Sequence, residues 1–285
     1  MENQQKTGAF KYRGASYKLM NLSEDALRRG VVTASAGNHA QGVALAAKNL
    51  GVEATIFMPS HTPYQKILAT KNYGANVNLV GEHFEDALFE SLKFKASTGA
   101  TYIHPFDDYD VMAGQGTVGI ELLHQVPHLD TIIVPIGGGG LIAGIAVAAK
   151  SINPNIKVIG VEPFGACAMY DTYYSHQHIT LKNPQTIADG TCVKEVGNLT
   201  ETVVRQYVDE IVLVSESEIA NGMIFLLERT KTLVEGAGAL SIAYVLNKHE
   251  LIQGKNIGVI VSGGNTDISK LNDIYKLSRK KEPVY

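Results

Sequence analysis

The stretch Ile132–Gly144, IIVPIGGGGLIAG, constrains this chain more than any other. An apolar run ends at Pro135 and Ile136, four glycines follow, and a second apolar run begins. A strand that empties into glycines and then a helix is a cradle for an anion. Backbone N–H groups can crowd around the charge, and the helix start adds partial positive charge of its own. A plain strand-to-helix turn needs one or two glycines; four add a backbone entropy cost that a bound phosphate would offset. The uncharged run Ile132–Ala149 is about as long as a membrane helix requires. Pro135 and the glycines would break such a helix, so the reading is strand, loop, buried helix.

The cradle does not name its ligand. Gly138, Gly140 and Ala143 also satisfy G-x-G-x-x-A, the dinucleotide fingerprint. A strand at Val158–Val161 then ends in Glu162, about where that fingerprint expects a ribose-binding acid. A nicotinamide dinucleotide and a smaller phosphorylated cofactor are both open at this point.

The remaining periodicity predicts an α/β fold. Apolar positions recur at helical spacing over Ala15–Arg29, with Gly30 as the stop. Strands are expected at Val31–Ala34, Ala54–Met58, Val77–Val80 and Thr101–His104. Helices are expected at Val43–Leu50, Thr62–Tyr73 and Phe84–Ser97. This alternation implies parallel sheets covered by helices. Asp107–Gly116 reads as a loop, followed by a helix to Gln125. Phe164–Leu199 reads as a long irregular segment of the kind that forms a lid or site wall. Thr200–Tyr207 is helical and Ile211–Val214 a strand. Ser215 and Glu218 form a capping box, Glu235–Asn247 a helix, and Ile257–Val261 the last strand. The loops at Ser35, Gly137, Gly190, Glu235 and Ser262 follow strands or open helices. In open α/β sheets such loops gather where ligands bind.

Bulk properties narrow the partners. A chain of 285 residues is one large domain or two small ones. A net charge of −3 gives no electrostatic reason to expect nucleic acid or an acidic membrane. Cys167 and Cys192 make neither a metal nor a disulfide framework, and the polar start Met1–Thr7 carries no secretory pattern. Both observations predict the cytoplasm.

Three groups carry candidate chemistry. Lys11 sits among Phe10, Tyr12 and Arg13 in GAFKYRG, and desolvation or a nearby cation would lower its pKa enough for carbonyl chemistry. A solvated surface lysine is the alternative. Asn38 and His39, in SAGNHAQG at a helix start, suit a carboxylate or phenolate oxygen, or simply cap the helix. Ser262, in VSGGNTD after a strand, suits a ring nitrogen or only a turn.

These motifs together resemble the fold-type II pyridoxal-phosphate enzymes. GAFKYRG is similar to their lysine motif, SAGNHAQG to their substrate-carboxylate loop, GGGGLIAG to their phosphate loop and VSGGNTD to their pyridine-nitrogen loop. HPFDD, AGQGT, GTCV after IADG, and EGAGA extend the likeness over nearly the whole chain, most closely to the catabolic threonine dehydratase (threonine ammonia-lyase) branch.

The resemblance implies a two-domain fold like the tryptophan synthase beta chain. A large cofactor domain would span 1–29 and 109–285, and a small substrate domain 30–108. It implies pyridoxal 5′-phosphate as cofactor, with Lys11 as the covalent attachment point and catalytic base. Phe10 would pack on the cofactor ring, Gly137, Gly138, Gly139, Gly140 and Leu141 hold the phosphate, and Asn38 meet the ring hydroxyl. Ser262 would face the pyridine nitrogen, and Gly190 and Glu235 line the remaining wall. Ser35, Gly37, Asn38 and His39 would grip the carboxylate of a small amino acid.

The implied reaction is dehydration and deamination of L-threonine, and of L-serine, to a 2-oxo acid and ammonia. Ala36 stands where serine racemases carry a proton-donating serine, and Phe106 where they carry an asparagine; both favour elimination. Glu162 and Ala166 match the racemase cation site, but Ala168 replaces its aspartate, so no metal is expected. A homodimer or homotetramer is implied. Relatives carry some tens of residues before the lysine motif, including a strand. The front of this chain therefore predicts an open sheet edge, with an inactive truncated remnant as one reading. The stretch after Asp267 is too short for the regulatory domain of biosynthetic relatives. Against β-replacement, HAQG stands where the synthases carry a TGNTG-like loop.

Overall fold

The computed structural model describes residues 1–248 and 256–280. Among these residues the strands form two four-stranded, wholly parallel sheets. The first contains β1 (Val31–Ala34), β2 (Ala54–Met58), β3 (Asn76–Leu79) and β4 (Thr101–Tyr102), in the order β3-β2-β1-β4. The second contains β5 (Thr131–Pro135), β6 (Lys157–Pro163), β7 (Glu210–Val214) and β8 (Ile257–Val259), in the order β7-β6-β5-β8.

Period-two alternation places each sheet between two layers. Ile132 and Val134 of β5 face α7 (Gly140–Ile152) and its Ile142 and Ile145. Ile133 faces the opposite layer with Ile219 and Met223 of α10 (Glu216–Thr230) and Leu240 of α11 (Gly236–Lys248). In the first sheet Val31 packs with Ala40, Val43 and Ala44 of α3 (Asn38–Leu50). Val32 and Ala34 turn the other way, towards Ala87 of α5 (Phe84–Thr98). α4 (Tyr64–Asn72) joins β2 to β3. Strands buried on both faces read as continuous apolar runs, which is why β5 and β2 stand out in the sequence.

Several elements differ from the sequence expectation, including α3, which begins at Asn38 rather than Val43, and β8, which ends at Val259 rather than Val261. The front helix starts at Lys11 and divides into α1 (Lys11–Met20) and α2 (Glu24–Arg28). Ser23 caps the second piece through its side chain. The expected loop at Asp107–Gly116 is mostly helix, α6 (Tyr109–Gln125). Asp108 caps it, accepting from Asp110 N at 2.9 Å and Val111 N at 3.1 Å. Its glycines serve close approach rather than helix termination. A Cβ on Gly114 would lie 2.6 Å from Gly14 Cα of α1, and one on Gly116 2.8 Å from Gly144 O of α7. The irregular segment after Phe164 contains α8 (Ala168–Ser175), and α9 (Asn198–Tyr207) begins slightly earlier than expected. The Ser215–Glu218 capping box forms as read: Ser215 N donates to Glu218 Oε2 at 2.8 Å and Glu218 N to Ser215 Oγ at 3.2 Å. α12 (Leu271–Ser278) packs beside α10. Among the described residues no helix is long and apolar enough to cross a membrane.

Candidate active site

The first and last motifs meet directly. Phe10 N donates to Ser262 O at 3.0 Å, Gly264 N to Gly8 O at 2.8 Å, and Ala9 bridges Gly263 antiparallel. GAFKYRG thus runs along the chain leaving β8, and Lys11 opens α1 beside it. The buried Gln115 of AGQGT fixes that helix, accepting from Gly14 N at 3.1 Å. Lys11 Nζ donates to Pro105 O at 2.6 Å and lies 5.2 Å from the Phe10 ring centroid. Burial lowers the amine to about 8, against the opposing pull of Glu235.

Pro105 belongs to the turn that carries the chain from β4 back to α6, and the same turn reaches the glycine loop. A Cβ on Gly138 would meet Phe106 Cδ1 at 2.3 Å, and one on Gly140 would meet Phe106 Cα at 3.0 Å. Gly139 adopts φ +94°, a conformation closed to most side chains, and caps α7, whose first two residues are Gly140 and Leu141. A Cβ on Gly137 would sit 2.9 Å from Thr191 Cα. The loop therefore admits no side chain, and the start of α7 is bare backbone.

The third motif opens α3. Gly37 caps that helix, and Gly37 N donates to Ser35 Oγ at 3.2 Å. A Cβ on Gly37 would meet nothing within 4 Å, so this helix start faces open space. Asn38 Nδ2 donates to Glu235 Oε1 at 2.6 Å, and Asn38 Oδ1 accepts from Asn265 Nδ2 at 2.8 Å. Asn265 also holds Thr7 O at 2.7 Å. Glu235 N donates to Gly263 O at 3.2 Å, and a Cβ on Gly190 would lie 3.7 Å from Glu235 Oε1. Ser262, buried, donates its hydroxyl to Ala237 O at 3.2 Å. Burial raises the Glu235 carboxyl to about 7, while the Asn38 hydrogen bond favours the anion.

His39 is placed differently from the rest. Its Nε2 meets Ile103 O at 2.9 Å, which makes that nitrogen the donor and leaves Nδ1 a buried acceptor with no partner among the described residues. Burial first, and then the Lys11 charge, push the ring down to about 3, so it is neutral. What His39 offers an anion is its backbone N–H on the first turn of α3.

Contacts link Lys11 to Phe10, Pro105 and, through Phe106, to the glycine loop. A second set links Asn38, Glu235, Gly190 and Ser262 through Gly263. Ser35 and Gly37 join these through Asn38. Sequence reasoning missed Pro105, His104, Asp107, Thr200 and Asn265 as individual residues. HPFDD and VSGGNTD flagged the stretches of all but Thr200, but a backbone carbonyl partner leaves no mark on composition. The site combines a low-pKa primary amine, a backbone anion cradle and neutral hydrogen-bonding groups. Those features fit a phosphorylated aldehyde.

The dinucleotide alternative fails on Glu162. That residue is fully buried and accepts from Met169 N at 3.2 Å and Tyr170 N at 2.6 Å. It caps α8, burial raises it to about 8, and both its oxygens are taken up by backbone N–H groups rather than presented to a ligand. Among the described residues no group of three or more His, Cys, Asp or Glu side chains is disposed to hold a metal.

Residues 1–263 match the pyridoxal-phosphate dependent enzymes, and this chain belongs to that family. Within it, the chain is 48% identical over 274 residues to the L-threonine ammonia-lyase of Thermotoga maritima, covering 96% of this chain and 68% of the relative. It is 47% identical over 277 residues to the catabolic L-threonine dehydratase TdcB of Staphylococcus aureus, covering 96% and 80%. Among solved structures, the processed form of tomato (Solanum lycopersicum) threonine deaminase isoform 2 superposes with TM-score 0.95 at 40% identity, over 98% of this chain and 82% of that one. Maize serine racemase superposes with TM-score 0.92 at 42% identity, over 97% and 85%. The α/β fold-type II architecture and the cofactor read from the sequence stand.

Proposed function

We propose that this chain is a pyridoxal-phosphate-dependent threonine ammonia-lyase, converting L-threonine to 2-oxobutanoate and ammonia, and L-serine to pyruvate. The observation that carries the reading is Lys11: a partly buried amine, lowered to about 8, set on the turn that abuts the glycine cradle. The threonine ammonia-lyase and dehydratase relatives support the substrate.

The cofactor, when bound, supplies an electron sink that acidifies Cα–H and lets a β-hydroxyl depart. The residues supply the rest. Lys11 Nζ would hold the aldehyde carbon in the resting enzyme and, once displaced by the substrate amine, would be free to take the Cα proton as general base; a pKa near 8 leaves a useful neutral fraction at neutral pH. Gly137, Gly138, Gly139, Gly140 and Leu141 would hold the phosphate through N–H groups, Phe10 would pack on the ring, and Gly190 and Glu235 would close its edge. Asn38 keeps one Nδ2 hydrogen for the ring oxygen after binding Glu235. Ser262 would give the ring nitrogen a neutral partner by turning its hydroxyl from Ala237 O to the ring, which favours prompt loss of the leaving group over a long-lived carbanion. Ser35, Gly37, Asn38 and the His39 backbone would bind the substrate carboxylate at the α3 start, where the helix dipole and the first-turn N–H groups favour an anion and Gly37 N would exchange Ser35 Oγ for it. Ala36 has no proton to deliver to the opposite face, which favours elimination over racemisation.

We further propose a small substrate domain, 30–108, and a cofactor domain made of 1–29 and 109–285, a division that the two separate sheets support. We place the protein in the cytoplasm, where its free thiols Cys167 and Cys192 would persist, and as a homodimer or homotetramer by resemblance. The test is to supply cofactor and L-threonine to the purified chain and assay 2-oxo acid and ammonia, with D-serine formation from L-serine measured in parallel. Steady 2-oxo acid production with little D-serine is expected. Racemisation without elimination would sink the assignment.

A further inference from the structure

Four glycines in a row leave their own conformation undecided. A peptide flanked by glycines turns over at little steric cost. Within one peptide plane the N–H points away from the C=O. A loop that presents N–H groups to an anion therefore needs its carbonyls held on the far side. Thr200, fully buried on the first turn of α9, does this for the middle of the loop: its hydroxyl donates to Gly138 O at 2.7 Å. The same oxygen accepts from Gly197 N at 3.1 Å and lies 3.1 Å from Gly197 O, so the shorter contact directs its single proton to Gly138. The packing is tight. A Cβ on Gly139 would meet Met169 Cε at 2.6 Å and Thr200 Cβ at 2.9 Å.

Thr200 is itself seated from the other side of the site. Asp107 Oδ1 accepts from Leu199 N at 2.9 Å and Thr200 N at 3.1 Å. Asp107 N donates to His104 Nδ1 at 2.7 Å, and Pro105, between those two residues, receives Lys11 Nζ at 2.6 Å. One turn, His104–Asp107, thus touches both the reactive amine and the support of the cradle.

We propose that Thr200, seated by Asp107, is a positioning residue for the cofactor phosphate, an inference that rests on the pyridoxal-phosphate reading. It holds the Gly138–Gly139 peptide with its N–H on the anion side, and the His104–Asp107 turn sets the span from cradle to amine. Neither Thr200 nor Asp107 is itself a ligand.

The phosphate provides the test. Cofactor-free parent, Thr200→Val, Thr200→Ser and Asp107→Ala chains are titrated with pyridoxal phosphate and, separately, with pyridoxal, which lacks the phosphate, following the absorbance change on binding. Thr200→Val keeps the shape and removes the donor, so its dissociation constant for pyridoxal phosphate is expected to rise about tenfold, that for pyridoxal less than about twofold. Thr200→Ser restores the donor and should stay within about threefold of the parent. Asp107→Ala should show the same selective loss, and serves if Thr200→Val does not fold. Unchanged pyridoxal phosphate affinity in the folded variants, or equal losses for both compounds, would overturn the proposal. A parent that takes up neither compound would instead overturn the pyridoxal-phosphate reading of the site, and this inference with it.

Discussion

Replacing the reactive amine should make the cofactor-free protein more stable. Burial lowers Lys11 from 10.5 to about 8. At about 1.4 kcal/mol per pKa unit, the charged amine costs the fold about 3 kcal/mol. The sign follows from proton counting. Below pH 8 both states hold the proton, and the full cost of burying it is present. Between pH 8 and 10.5 the unfolded chain alone retains the proton, and the cost fades to under about 1 kcal/mol by pH 10. Lys11→Met keeps the apolar stem and removes the charge, but leaves Pro105 O without its donor, a loss of about 1 kcal/mol. The net expectation is a gain of about 2 kcal/mol at pH 7 and about zero at pH 10, or roughly 4 °C in Tm at neutral pH for a chain of this size. Urea unfolding of both cofactor-free proteins, followed by circular dichroism at pH 7 and pH 10, measures the difference. A variant less stable than the parent at pH 7, or a difference that ignores pH, would refute the claim that the amine is held in a desolvated site at the expense of stability.

Glu235 carries the opposite dependence. Its carboxyl is raised from 4.5 to about 7, so the cost of its charge is absent below pH 4.5 and complete above pH 7. Glu235→Gln can still accept from Asn38, and should gain up to about 3 kcal/mol on the parent between pH 4.5 and 8, read as a widening Tm difference. Gly37→Ala places a methyl where nothing lies within 4 Å. It should leave stability within about 0.5 kcal/mol while raising KM for L-threonine several-fold, and an unchanged KM would move the carboxylate away from the α3 start.

The fold was legible where one physical signal dominated. β5 and β2 are apolar on both faces, and Gly30, Gly51 and Gly99 stop their helices or turns in the left-handed conformation. The capping box at Ser215 was legible because both partners are local. The reading failed at α6 because its glycines look like breakers; their purpose, contact with Gly14 and Gly144, lies in residues distant along the chain. The site shows the same division. Lys11, Asn38, the glycines and Ser262 belong to recognisable stretches. Their bonds to one another run through Pro105 O, Gly263 O and Glu235, and pairing of that kind is set by tertiary packing alone. Glu162 shows the converse, since an acid at the expected spacing turned out to be a helix cap.

The titratable groups around the site are biased in one direction. Burial pushes Lys11 down to about 8, His39 down to about 3 and Glu235 up to about 7, each towards its neutral form. A chamber that disfavours charge on its own side chains, and that we propose receives a phosphate and a carboxylate, must meet them with dipoles. The two features suited to that task are the backbone N–H groups at the start of α7 and the start of α3, each opening a helix of 13 residues behind a glycine cap. Fixed dipoles need no counter-ion and keep their orientation when the amine changes protonation state. The glycines are therefore required twice over: at Gly139 for a conformation that side chains resist, and at Gly138 and Gly140 for the room that Phe106 already fills. A cationic side chain introduced at either helix start would bind anions more strongly at first contact, but would lower the Lys11 pKa further and change the base as well as the anion site. That coupling is a physical reason for the anion sites to be built from backbone.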